Sequence, residues 1–158
     1  MKKSIIYICA CLFLLISCNK ETDKSSDVVA EEPEAKELTL EGAWELVSFY
    51  NYDDDGVSDT IPATETNRQI KMYTATKVMW SRYNAADSTD WFGFGSYTAN
   101  DSILTEVLDF GSEAMLPVIK EQGEFVFDLH LAENTFSQIT IDDEGHPFFA
   151  ENYRRIEK

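Results

Sequence analysis

Cysteine is missing from everything after residue 18. The three cysteines of the 158-residue chain, Cys9, Cys11 and Cys18, all fall in its first eighteen positions. The rest can therefore form no disulfide and offers no thiol nucleophile. Histidine is scarce, with only His130 and His146, and neither has the Ser, Cys or His spacing of a catalytic triad or a metal set. Asp128 and His130 share a strand face, but the apolar residues lie opposite them, so both are expected in solvent. His146 precedes Pro147 in a turn. Basic residues are few: 13 Lys and Arg stand against 29 Asp and Glu, a formal net charge of −16. Loss of Lys2 and Lys3 with a leader would make it more negative still. So acidic a chain argues against nucleic acid and against a basic face for anionic lipid. No enzyme activity, metal or cofactor is expected, and long apolar runs are absent after the leader.

The leader itself, MKKSIIYICACLFLLISCNK, places Lys2 and Lys3 before an apolar run over residues 5–16 that ends at Ser17. This is the pattern of a secretory signal, and the run is shorter than the ~20 residues that span a bilayer. Residues 15–18, LISC, resemble the lipobox of bacterial lipoproteins. The resemblance implies a signal peptide over 1–17 and a diacylated Cys18 as lipid attachment site and first mature residue. The membrane would then be a partner through the lipid alone, two acyl chains giving stable anchoring where one does not. An ordinary cleaved signal and a short membrane anchor are the alternatives. Asn19 after the cysteine resembles lipoproteins sent to the outer membrane, which implies the envelope of a Gram-negative bacterium, on its periplasmic or outer side. Residues 18–37 carry much charge and no aromatic residue or apolar period, and read as a disordered acidic tether.

From residue 38 the pattern changes to short aromatic and β-branched stretches separated by turn residues about every ten positions. Strands are expected at 43–52, 68–74, 77–84, 92–99, 102–110, 116–121, 124–132, 135–142 and 147–156. Alternation is clearest at 124–131, where Phe125, Phe127, Leu129 and Leu131 share one face. Some eight to ten hairpin-linked strands with one apolar face must curl to cover it and to remove their edges. The expectation for 38–158 is therefore an all-β, up-and-down antiparallel barrel, with a two-sheet sandwich as the rival.

Within the first strand, Gly42-Ala43-Trp44 resembles the G-x-W signature of lipocalins and related calycin barrels. The hairpin pattern of GAWELVSFY, QIKMYTATKVMWSRYN, FGFGSYTANDSILTEVLDFG and the closing NYRRIEK is similar to the lipocalin-like domains of small bacterial lipoproteins. The resemblance implies that Gly42 and Trp44 close one barrel end and that a basic residue of the last strand covers the indole, with Arg155 the candidate and Arg154 the alternative. It also implies binding of a small apolar or amphiphilic ligand in the barrel. A filled barrel serving as a surface interaction module is the alternative, since fold does not settle function.

Two places invite a site. NYDDDGVSD, residues 51–59, puts oxygen-bearing side chains at calcium-loop positions with Gly56 at the sixth, but Pro62 stands where the bidentate carboxylate belongs. A solvated connection between strands is the expectation. Alternation also sets Val78, Trp80 and Arg82 on one face, and Leu104, Glu106, Leu108 and Phe110 on another. If these line the lumen, Arg82 and Glu106 are interior charges that must pair or meet a ligand, with Tyr97 adding a hydroxyl. Gly93 and Gly95 would relieve curvature or leave room at the mouth. Trp80, Arg82, Tyr97 and Glu106 are thus the candidate ligand-binding residues.

Overall fold

The computed structural model describes residues 37–86 and 89–158. The leader, Cys18 and nearly all of the expected tether lie outside the described residues. Among those described, the elements run β1 (Gly42–Asp53), β2 (Gly56–Pro62), β3 (Asn67–Tyr73), β4 (Lys77–Asn84), β5 (Trp91–Ala99), β6 (Ile103–Gly111), α1 (Leu116–Glu121), β7 (Phe125–Leu131), β8 (Thr135–Ile141) and β9 (Pro147–Glu157). From β3 to β9 each strand pairs with the next, and β9 pairs back onto β1, so the sheet closes as a ring. The up-and-down barrel expected from the short connections is the fold observed; no second sheet is needed because closure removes the edges.

β1 is long enough to serve two neighbours on one side. Its first residues, Gly42–Glu45, pair with β3, while Ser48–Asp53 pair with β2. Hence β2 stands outside the ring as an appended strand. The connection expected over 51–59 is instead this hairpin: Asn51 faces Asp59 across the register, and the turn is Asp53–Gly56. Asp53 accepts the Asp55 backbone N–H at 3.0 Å, and Gly56 takes φ +115°, a conformation that favours glycine. Ligand positions one and nine of a calcium loop are thus cross-strand neighbours. β2 was not legible as a strand because it is solvated on both faces and carries no alternation.

The segment expected as a strand at 116–121 is the helix α1. Pro117 occupies its first turn, where a missing N–H costs nothing and φ is already helical. Leu116, Val118 and Ile119 suggested β by composition, but Met115 and Ile119 pack beside Gly111. Phe110 also departs from expectation. A bulge between Phe94 and Gly95 against β6 turns Phe110 outward, 53% exposed and stacked on Phe94 at 5.2 Å, so it does not share the face of Glu106. At that bulge a side chain on Gly95 would run into the Val107 carbonyl and the Leu108 backbone.

One end of the barrel is plugged. Trp44 is fully buried, with Phe136 edge-on at 4.8 Å, and Phe136 stacks on Tyr153 at 4.6 Å. Leu104, Leu129 and Val78 fill the space around them. The Arg155 guanidinium lies 3.9 Å from the centre of the Trp44 ring. It also donates to the carbonyls of Thr39 (2.6 Å), Glu41 and Glu133 (2.8 Å), while the Trp44 indole donates to Leu40 at 2.7 Å. Arg154 points away and pairs with Glu45 on the outer wall at 2.9 Å.

Candidate ligand site in the barrel lumen

Past the plug, the lumen turns polar. β3 presents Gln69, Lys71 and Tyr73 inward, and all three are buried, while Met72 between them is exposed. This inverts the usual rule, in which the apolar face of a strand seeks the core. Lys71 Nζ donates to Glu106 Oε1 (2.9 Å), Glu106 Oε2 (3.1 Å) and Gln138 Oε1 (2.6 Å). Those are all three of its hydrogens. The ammonium also lies about 5.8–5.9 Å from the ring centres of Tyr73, Phe127 and Tyr153. Tyr73 donates to Glu106 at 2.6 Å.

A second carboxylate organises the rest. Glu151 Oε2 accepts from Gln138 and from Tyr153, both at 2.7 Å, and its Oε1 accepts from Arg82 Nη2 at 3.2 Å. Arg82 Nε donates to Gln69 Oε1 at 2.7 Å, and Gln69 donates on to Tyr153 at 2.7 Å. Arg82 and Glu106 therefore do not neutralise each other. Glu106 belongs to Lys71, Arg82 belongs to Glu151, and two glutamines join the pairs into one network from β3, β4, β6, β8 and β9. Among the described residues no buried side-chain nitrogen or oxygen lacks a partner.

Burial pushes the hydroxyls of Tyr73 and Tyr153 well above the usual phenol range, and the carboxylates to which they donate push them further. The sign of the pH effect follows. In the unfolded chain these groups ionise near pH 10, whereas the fold keeps them neutral. Their contribution to stability is complete below about pH 10 and falls as pH rises above it. In an alkaline titration followed by tyrosinate absorbance, Tyr73 and Tyr153 are expected to ionise only together with unfolding. Ionisation of all seven tyrosines before any loss of β circular dichroism would contradict this.

Beside the network lies a cavity of about 180 Å³. Its polar floor is Lys71, Arg82, Glu106 and Glu151, and its walls include Trp80, Leu108, Phe127 and Phe149. Met115, just before α1, reaches it from the β6–β7 connection, so that connection partly covers the mouth. Arg82 is partly exposed, its side chain at 35%, which marks this end as the open one. Gly93 faces Trp80 in the β4–β5 register, and a Cβ there would stand 2.8 Å from the indole Nε1. Its missing side chain is what leaves room for the indole.

Of the four residues singled out from sequence, Trp80, Arg82 and Glu106 meet at this cavity. Tyr97 does not join them. Although Glu106 is its register partner, its ring lies edge-on to Tyr73 at 4.9 Å, and its hydroxyl donates to the Thr74 carbonyl at 2.8 Å. It belongs to the plugged end. Sequence reasoning missed Gln69, Lys71, Gln138 and Glu151. The available signal was a polar residue at every second position of β3, which reads as a solvent face.

The Asp142, Glu144 and His146 side chains could also approach a common ion, their ligand atoms lying within 4.8 Å of one another. All three are exposed, however, and Asp142 Oδ1 already accepts the backbone N–H groups of Glu144 (2.9 Å) and His146 (2.8 Å). That carboxylate shapes the β8–β9 turn.

No protein-family model matches the chain, and no curated protein matches its sequence. Two solved structures are similar to it. One is a lipocalin-like protein from Bacteroides uniformis, with a TM-score of 0.50 and 15% identity, covering 74% of this chain and 98% of that one. The other is an uncharacterized protein from Bacteroides eggerthii, with a TM-score of 0.49 and 15% identity, covering 74% of this chain and 99% of that one. At such identity the likeness to the Bacteroides uniformis protein concerns the fold alone: an antiparallel lipocalin-like β-barrel.

Proposed function

We propose that this domain is a binding protein that captures a small ligand reversibly in the open end of its barrel. The observation that carries the reading is the cavity itself, where an apolar wall around Trp80 meets the buried Lys71–Glu106 pair and the partly exposed Arg82–Glu151 pair. A filled barrel would have placed side chains there. At ~30 Å³ per water, 180 Å³ holds about six waters, and it falls below the ~300–1,000 Å³ of pockets for drug-sized ligands. The ligand is therefore compact, or it is an amphiphile that inserts one end and leaves its tail outside the mouth. Affinity comes mainly from apolar burial at ~25 cal/mol per Å², and the network fixes orientation.

The test is a calorimetric screen of small aromatic and short-chain amphiphilic probes against the purified protein, repeated with Leu108→Trp to fill the cavity. Binding by the wild type and none by L108W is the expected result. If nothing binds at saturating concentration, the barrel is better read as an interaction module.

We infer further that the protein is held at the bacterial envelope through Cys18, with Asn19 favouring the outer membrane. Support comes from the LISC tetrapeptide after a short apolar run. Cys18→Ala is expected to abolish incorporation of labelled fatty acid in cells; unchanged labelling would remove the assignment.

A further inference from the structure

The charges of the lumen cavity are largely spent on one another. Lys71 uses all three hydrogens on Glu106 and Gln138. Both Glu106 oxygens accept from Lys71, and Tyr73 adds a donor to one of them. Both Glu151 oxygens are engaged by Arg82, Gln138 and Tyr153. The floor therefore holds two cations and two carboxylates, paired within itself.

Such a floor repels ligand ions of either sign. An anion approaching Arg82 meets Glu151 at the same place, because the two are 3.2 Å apart. A cation approaching Glu106 meets Lys71 at 2.9 Å. Either ion would give up its hydration for a site with no unpaired counter-charge, and that desolvation is costly.

Three groups that line the cavity keep donors outside the network: the Arg82 Nη1 group, the Thr140 hydroxyl and the Trp80 indole N–H, of which the last sits in the apolar wall. No hydrogen bond within the described residues uses the Trp80 indole N–H, although the ring forms part of the cavity wall. This group is a donor only, so it calls for an oxygen acceptor and rejects another donor. Around it, Leu108, Phe125, Phe127 and Phe149 supply apolar surface for a flat or compact body.

Resting on the reading of the lumen as a ligand site, we propose that it selects uncharged ligands carrying a carbonyl or hydroxyl oxygen, which accepts from the Trp80 indole N–H. The chemical class is that of small neutral amides, ketones, esters and alcohols with an apolar body. Arg82 is a positioning residue: held by Glu151 and Gln69, it completes the neutral floor.

Three probes of nearly equal size separate the possibilities: benzamide, benzoate and benzylamine, each titrated calorimetrically into the purified protein at neutral pH. Benzamide is expected to bind at least tenfold more tightly than either ion. The Trp80 indole N–H resonance is expected to shift on its addition. Trp80→Phe keeps an aromatic wall and removes the donor, and should weaken benzamide roughly three- to tenfold, as loss of one neutral hydrogen bond does. Selectivity and resonance are both read on the wild type and do not depend on how the variant folds. If benzoate or benzylamine binds as tightly as benzamide, or if the indole resonance stays still while benzamide binds, the proposed selectivity is wrong and the ligand site survives. If none of the three binds, the proposed selectivity is wrong, and the ligand site stands or falls on the wider probe screen.

Discussion

Replacing Lys71 by methionine is expected to lower the unfolding free energy by about 3–5 kcal/mol, as removal of one partner from a buried ion pair does. The side chains of Lys71 and Glu106 are only 3% and 4% exposed, so water cannot replace the lost ammonium. The Glu106 carboxylate would be left with the Tyr73 hydroxyl as its main donor, and Gln138 Oε1 would lose its 2.6 Å bond. Methionine fills a similar volume, so the effect would be electrostatic rather than a packing defect. The double variant Lys71→Met, Glu106→Leu is expected to recover part of the loss, because an apolar pair of matched size removes the stranded charge. Chemical denaturation of the three proteins checks both statements. A Lys71→Met loss below ~1 kcal/mol would mean that the lumen is wet enough to screen the pair.

Trp44→Ala carries the second large effect, about 3–5 kcal/mol, in the range of a fully buried aromatic cut to a methyl group. Here the void would open between Phe136, Leu40 and Arg155, and the Leu40 carbonyl would lose its donor. Arg155→Ala removes the group lying 3.9 Å above the ring. The two changes are expected to be coupled by about 0.5–2 kcal/mol, the range of a cation over an indole. A double-mutant cycle that came out additive would show that the guanidinium serves the backbone carbonyls alone.

The ring of hairpins was legible because it depends on local signals. Turn residues between alternating stretches set eight of the strands to within a residue of their observed ends. The plug was legible for a different reason, since Gly42, Trp44 and Arg155 belong to a recurring pattern. Where reading failed, the determining contacts were distant in sequence. Lys71 looks like a surface lysine until Glu106 and Gln138 are brought to it from β6 and β8. Phe110 looks like a lumen residue until one bulge reverses its side. Residues 116–121 have a strand's composition, and only Pro117 at a helix start speaks against it. Tyr97 was correctly placed inside the barrel but at the wrong end, because alternation reports which face a residue takes and not what lies beyond its neighbour.

The Arg155 clasp has a mechanical meaning. The described chain enters the barrel through Thr39, Leu40 and Glu41, and the carbonyls of these three residues are gripped by Arg155 and the Trp44 indole. Arg155 sits on β9 and Trp44 on β1, the two strands that close the ring, and each is the other's register partner. A pull on the chain N-terminal to this point would thus be carried first by hydrogen bonds straddling the closing seam rather than by a terminal strand free to peel. Force would load both sides of the seam together.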